Sequence, residues 1–203
     1  EILLINSFGV LSKYFNYCPH TIYGKSKVKM EKLILSSNIK IDFNIIRPTN
    51  VWGPYHKRYK ELLFPLIKYG LFFYPKNTNS IISYAFVNTV CKQIEKLLFL
   101  TNVEKKIFYV GDAPISQLKW LKSVEKQING KIWLIPLWVL NLGAIFGEVY
   151  FKIFKSTFIL NKSRIKNMTT DYIVPMEDTF DLIGDDKIDL DLAISETLRK
   201  NVL

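Results

Sequence analysis

Short, wholly apolar runs alternate along the first half of the chain with segments whose apolar residues recur at helical spacing. Ile2–Ile5 has no polar position, the pattern of a strand covered on both faces of a parallel sheet. Ile22–Leu35 carries Val28, Leu33, Ile34 and Leu35 behind Thr21, a suitable cap, and predicts a helix. A strand is expected at Asp42–Ile46, stopped by Pro48 and followed by a loop through Gly53-Pro54. Glu61–Lys68 predicts a helix and Ser83–Val87 a strand. The segment to Leu100 predicts a helix with Val90, Ile94, Leu97 and Leu98 inward. Strand–helix–strand alternation of this kind requires right-handed crossovers, and so an α/β layer fold.

The second half continues with a strand at Lys106–Val110 and a helix capped by Ser116. That helix carries Leu118, Leu121, Val124 and Ile128 and stops at Asn129-Gly130. The 16 residues Ile132–Gly147 are then almost wholly apolar, broken by Pro136 and Asn141. A spanning helix needs roughly 20 residues, so a buried or interfacial helix pair is expected instead. With Lys131, Lys152 and Lys155 at its flanks, residues 132–151 also suit weak association with a membrane surface. From Glu177 onward eight acids face three bases, a solvated face with a terminal helix. Asp185, Asp186, Asp189 and Asp191 lack the Gly and Glu spacing of a calcium loop.

Composition narrows the function. At 203 residues, 49% hydrophobic and 23% charged, the chain has enough material for a real core and is not disordered. Its net charge of +10 would attract phosphates, yet only four of the 28 basic residues are Arg and the lysines are dispersed. Nucleic-acid readers cluster Arg for bidentate contacts, so no nucleic-acid partner is expected. Cys18 and Cys91 are far apart and form no CxxC, which predicts reduced thiols and a cytoplasmic setting. His20 and His56 are the only histidines and stand in no ligand spacing, so no metal is expected.

The sharpest chemical feature is Tyr23-Gly24-Lys25-Ser26-Lys27. Residues four apart share a helix face, so the Tyr23 hydroxyl and the Lys27 ammonium can serve one site. A fixed cation favours the phenolate, which makes such a pair a usable acid/base for alcohol–ketone chemistry. Any Tyr- and Lys-rich chain supplies a YxxxK by chance; position gives this one weight. Ser7 closes the first strand, where open α/β sheets hold their ligands, and its hydroxyl can polarise a substrate oxygen. Arg47-Pro48-Thr49-Asn50-Val51-Trp52-Gly53-Pro54 ends the next strand on the same edge.

These segments resemble the extended short-chain dehydrogenase/reductase family, the NAD-dependent epimerase/dehydratase group. Ser7 through Ser12, Tyr23 through Lys27 with Glu31, Arg47 through Pro54, Tyr84-Ala85-Phe86-Val87-Asn88 and Phe108-Tyr109-Val110-Gly111-Asp112 follow the family's order. The resemblance runs from Glu1 to about Gly130 and more weakly beyond. It implies that Tyr23 is the acid/base, that Lys27 binds the nicotinamide ribose and tunes the Tyr, and that Ser7 holds the reacting oxygen. Pro48 and Thr49 would lie by the cofactor, NAD or NADP, and Asn50 would contact the substrate, a nucleotide-sugar. The implied fold is the C-terminal part of a Rossmann-like doubly wound parallel sheet, plus a smaller, mostly helical substrate-binding region. Residues 1–100 would form the catalytic part with interleaved substrate-binding segments, and 101–203 the substrate-binding and C-terminal helical region. A homodimer is a further expectation.

Departures bear mainly on the substrate. Leu11-Ser12 replaces the usual Tyr-Gly, Ile82 stands where a phosphate-contacting Arg is common, and Asn88-Thr89 replaces Asp-Asp. Phe8-Gly9 follows Ser7 without an acidic pair, which disfavours dehydration. The apolar segment from Ile132 to Phe151 resembles the 3β-hydroxysteroid-dehydrogenase-like branch, and an alternative is a reductase of lipid-type substrates. A non-catalytic relative of the fold is the other. No Gly-rich phosphate loop follows any strand. With Glu1 opening directly on an apolar run, this predicts a C-terminal fragment of a larger protein, inactive alone.

Overall fold

The computed structural model describes residues 2–4, 22–38, 40, 43–100, 107–154 and 162–201. The chain divides into two compact units, each assembled from three segments. Unit 1 comprises Glu1–Gly53, Ser83–Ala113 and Val174–Ile188; unit 2 comprises Pro54–Ile82, Pro114–Ile173 and Asp189–Leu203. Residues 54–82 leave unit 1 and the chain returns at Ser83, because the parallel strands of unit 1 must be joined by excursions away from their sheet.

Unit 1 is α/β. Strand β1 (Ile2–Leu4) lies beside β2 (Asn44–Pro48), which lies beside β7 (Ile107–Val110), all parallel. Register runs from Ile2 opposite Asn44 to Leu4 opposite Ile46, and from Ile45 opposite Ile107 to Pro48 opposite Val110. Helix α1 (Ile22–Ser36) makes the crossover from β1 to β2. One residue beyond β2 the chain re-enters a strand, β3 (Asn50–Trp52), parallel to β6 (Tyr84–Phe86). That short strand lies within the stretch expected to be a loop. Pro48 does not stop extension, because it occupies the last rung of β2, and Thr49 N still donates to Val110 O at 3.2 Å. Helix α3 (Val87–Leu98) follows β6, and Ile46, Ala85, Val90, Leu97, Phe108 and Val110 form the core between them. Helix α7 (Glu177–Ile183) completes the unit, with Ile183 against that core.

Apolar residues on two helices turn outward, and the inward assignment of Leu98 is corrected. On α1 the buried positions are Gly24, Val28 and Glu31, one helical stripe, while Leu33 is 59% exposed. Leu35 is also exposed. On α3, Val90 and Leu97 are buried and Leu98, the next residue round the helix, is turned outward.

Unit 2 is mainly helical. A π-helical turn (Tyr59–Leu63) leads into α2 (Phe64–Lys68). Two small ribbons follow: β4 (Phe72–Pro75) pairs in parallel with β9 (Ile132–Ile135), and β5 (Ile81–Ile82) pairs antiparallel with β8 (Ile115–Ser116). Helix α4 (Gln117–Gln127) buries Trp120, Leu121 and Val124. The remaining helices are α5 (Leu137–Phe154), α6 (Lys162–Thr169) and α8 (Leu190–Asn201). The apolar stretch from Ile132 is thus a strand and one long helix rather than a helix pair. Pro136 separates them, since it cannot donate within a ladder but readily precedes a helix. Leu140, Ala144 and Ile165 pack α5 on α6. No helix among the described residues is long and apolar enough to cross a membrane.

Candidate active site

Tyr23 sits in the first turn of α1 with half of its surface (51%) in solvent. Lys27, one turn on, holds its Nζ 5.4 Å from the Tyr23 ring centroid, so the sequence-predicted pair meets on one face of the helix. Gly24, between them in sequence, is on the buried side and seats the helix, while Ser26 Oγ donates to Tyr23 O at 2.7 Å. The crossover topology directs the start of α1 and the end of β2 to the same edge of the sheet.

What fixes α1 is a buried polar group that the motif reading quoted without a role. Glu31 lies two turns below Tyr23 on the buried stripe and is fully enclosed. Its carboxylate accepts from Arg47 twice, with Nε donating to Oε2 at 3.1 Å and Nη2 donating to Oε1. Arg47 Nη1 donates to the Tyr109 hydroxyl, and the guanidinium carbon lies 5.2 Å from that ring's centroid. The chain α1–β2–β7 is thereby tied by one bidentate pair and one phenol. Burial opposes the charge on Arg47, but the hydrogen bond and charge of Glu31, together with Tyr109, outweigh it and raise its pKa. Burial pushes Tyr109 up as well, with Arg47 pulling the other way. The signal was available in sequence: a carboxylate at the apolar spacing of α1, and an arginine inside an otherwise apolar strand.

Pro48 and Thr49 are both buried. The Thr49 hydroxyl donates to Ser83 O, so it is engaged within the fold. Asn50 is half-buried at the start of β3, in register with Tyr84. Ser7 lies outside the described residues, as do Leu11, Ser12, Cys18, His20 and Thr21. Among the described residues no group of His, Cys, Asp and Glu is arranged to hold a metal ion.

A second buried acid, Asp112, closes the segment Phe108–Asp112. Its Oδ2 accepts from Phe86 N at 2.6 Å, and its own N donates to Tyr84 O at 2.8 Å, clamping β6. Burial pushes its carboxyl up to about 6, against the lowering effect of the Phe86 amide, Thr89 and the Trp52 indole. Asp185 adds a like charge. Beside it the Gln93 amide brackets Gly111, donating to its O at 2.9 Å and accepting from its N at 2.8 Å. These groups brace the strand ends and leave Tyr23 and Lys27 as the solvent-facing chemistry. An exposed phenol beside an ammonium fits the ribose end of a nicotinamide dinucleotide, whose hydroxyls both groups can hydrogen-bond. The dinucleotide's diphosphate has no Gly-rich turn to receive it in this sequence.

No family model matches the chain. In sequence it is similar to UDP-glucose 4-epimerase of Vibrio cholerae, 26% identical over 143 residues, covering 66% of this chain and 43% of that protein. In structure it is similar to UDP-glucuronic acid 4-epimerase from Bacillus cereus, solved with NAD, at 12% identity and a TM-score of 0.66. That match covers 98% of this chain and 60% of the other. Thermotoga maritima UDP-glucose 4-epimerase, solved with UDP-glucose, gives 12% identity and a TM-score of 0.66, with 98% and 62% coverage. dTDP-4-dehydrorhamnose reductase from Bacillus anthracis, solved with NADP, gives 14% and 0.63, with 98% and 64% coverage. The chain thus spans less than half the length of its curated relative and about three-fifths of these solved structures. With its parallel strands and the crossover helix between them, it shares the fold of these epimerases and reductases.

Proposed function

We propose that the protein is an NAD(P)-dependent epimerase or oxidoreductase acting on a hydroxyl or keto group of a nucleotide-sugar. The observation that carries this is the solvent-facing Tyr23–Lys27 pair on a helix anchored by the buried Glu31–Arg47 pair. Similarity to proteins named as epimerases of UDP-sugars supports the substrate class. When bound, the dinucleotide supplies the hydride acceptor and donor.

The chain's own residues do the rest. Tyr23 takes the proton from the sugar hydroxyl and returns it to the carbonyl oxygen. The Lys27 ammonium balances the charge that gathers on the Tyr23 oxygen in between, and shares the ribose with it. Ser7 donates to the reacting oxygen, holding it in reach. Pro48 and Thr49 would lie by the cofactor, and Asn50 would contact the sugar. All six positions belong to unit 1, and we assign substrate-binding segments to unit 2. Cys91, exposed and unpaired, fits the reducing cytoplasm in which we place the protein.

The decisive experiment is Tyr23→Phe in the intact protein, assayed on UDP-glucose and related nucleotide-sugars. Removing one hydroxyl should lower turnover by about 10²- to 10⁴-fold with the fold retained. Turnover equal to that of the unsubstituted protein would overturn the reading.

A further inference from the structure

Helix α5 has two apolar stripes. Leu140 and Ala144 pack on Ile165 of α6 and are buried. On the opposite side Trp138, Leu142, Ile145 and Phe146, at the spacing of successive helical turns, stand in solvent. Trp138 is 66% exposed and Phe146 73%. The ribbon that feeds this helix repeats the theme. Phe73 and Trp133 are direct neighbours in the β4–β9 register, and both are exposed. Trp133 is held there, its Nε1 donating to Gly70 O at 3.0 Å while the Lys131 ammonium lies 5.3 Å from its ring centroid.

Charge decides what this face meets. Unit 2 contains 16 Lys and Arg against 7 Asp and Glu, whereas unit 1 contains 12 against 11, so almost the whole excess falls in the unit that carries the apolar face. Lys68, Lys76 and Lys131, at the ends of the ribbon, are exposed. Two-fold docking onto a second copy would bring two basic faces together, and like charges across an interface are penalised. An anionic lipid surface instead neutralises the lysines and accepts the tryptophans at the headgroup level and the aliphatic side chains below it.

We propose that the exposed face of β9 and α5, from Trp133 to Phe146, docks unit 2 on an anionic membrane surface, lying on the bilayer rather than crossing it. The inference is independent of the catalytic reading. The experiment uses the intact protein with phosphatidylcholine vesicles, with and without phosphatidylserine, read by co-sedimentation and tryptophan emission. The protein should partition onto the phosphatidylserine vesicles with a blue shift. The double substitution Trp138→Glu/Phe146→Glu should weaken that partitioning about tenfold or more, since it puts charge where acyl chains must go. Far-UV circular dichroism and thermal melting establish that the variant is folded, which is expected because both side chains are exposed. Absence of wild-type binding to phosphatidylserine vesicles would overturn the proposal. So would binding that the double substitution leaves unchanged, which would make the attraction purely electrostatic. A wild-type dimer that the same substitution dissociates, without vesicle binding, would assign the face to a second copy instead.

Discussion

Among the described residues, Glu31, Arg47 and Asp112 are the buried charged side chains, and all three fall in unit 1. Unit 2 buries the hydroxyl residues Ser80 and Thr197 but no charge, and it leaves Trp133, Trp138 and Phe146 in solvent. The nearly neutral unit is therefore the one that buries ionisable side chains, whereas no described charge of the strongly basic unit is fully buried. Net charge and electrostatic consequence are separated in this molecule. A charge surrounded by water is largely screened, whereas a single buried carboxylate must find its counterion or lose its proton.

The largest effect should come from removing the Arg47 guanidinium from beside Glu31. Arg47→Met keeps the volume and removes two donors to a carboxylate that has no access to solvent. We expect a loss of about 3–5 kcal/mol in urea denaturation of the intact protein. The double substitution Glu31→Gln/Arg47→Met removes the stranded charge and should recover most of that loss. Equal losses in the single and the double variant would mean that side-chain fit, not charge, ties α1 to the sheet. The contrast between the units would then lapse.

Asp112 gives the next effect, and pH reads it. Its folded pKa, about 6, lies above its ordinary value of 3.8. Between those values the native chain holds a proton that the unfolded chain has released, so stability falls as pH rises from about 4 to about 6 and levels off above. Asp112→Asn, which keeps an oxygen for the Phe86 amide, removes this dependence. The stability difference between variant and wild type should move in the variant's favour by up to about 3 kcal/mol from pH 4 to pH 7. Urea titrations at the two pH values check it, and parallel behaviour would show that water reaches Asp112.

Much of unit 1 was legible in the sequence because its signals are local. A wholly apolar run, a YxxxK at helical spacing and an arginine in a strand each constrain their own few residues. The paired strands β1, β2 and β7 and the meeting of Tyr23 with Lys27 follow from them. What the sequence could not show depends on long-range pairing. Asn50–Trp52 becomes a strand only because Tyr84–Phe86 lies alongside it. Ile132–Ile135 is a strand only because Phe72–Pro75 is. Leu33, Leu35 and Leu98 carry the right residue type for a core but point away from it, since periodicity reports a stripe and not its width. Glu31 was the opposite case, a polar residue on the buried stripe whose partner stands 16 positions away.

The smallest effect belongs to unit 2 and tests the contrast from the other side. Ser116 caps α4, its Oγ accepting from Lys119 N at 3.3 Å and donating to Asn79 Oδ1 at 2.6 Å. Ser116 is only half-buried, so water can replace the hydroxyl at both partners once it is gone. Ser116→Ala should therefore cost about 1 kcal/mol in urea denaturation, and Ser116→Gly only a few tenths, because a glycine cap leaves the first turn open to solvent. A loss from Ser116→Ala as large as that from Arg47→Met would show that unit 2 also depends on a desolvated polar contact. A loss near 1 kcal/mol, with glycine milder than alanine, is what a unit resting on apolar packing and solvated caps requires.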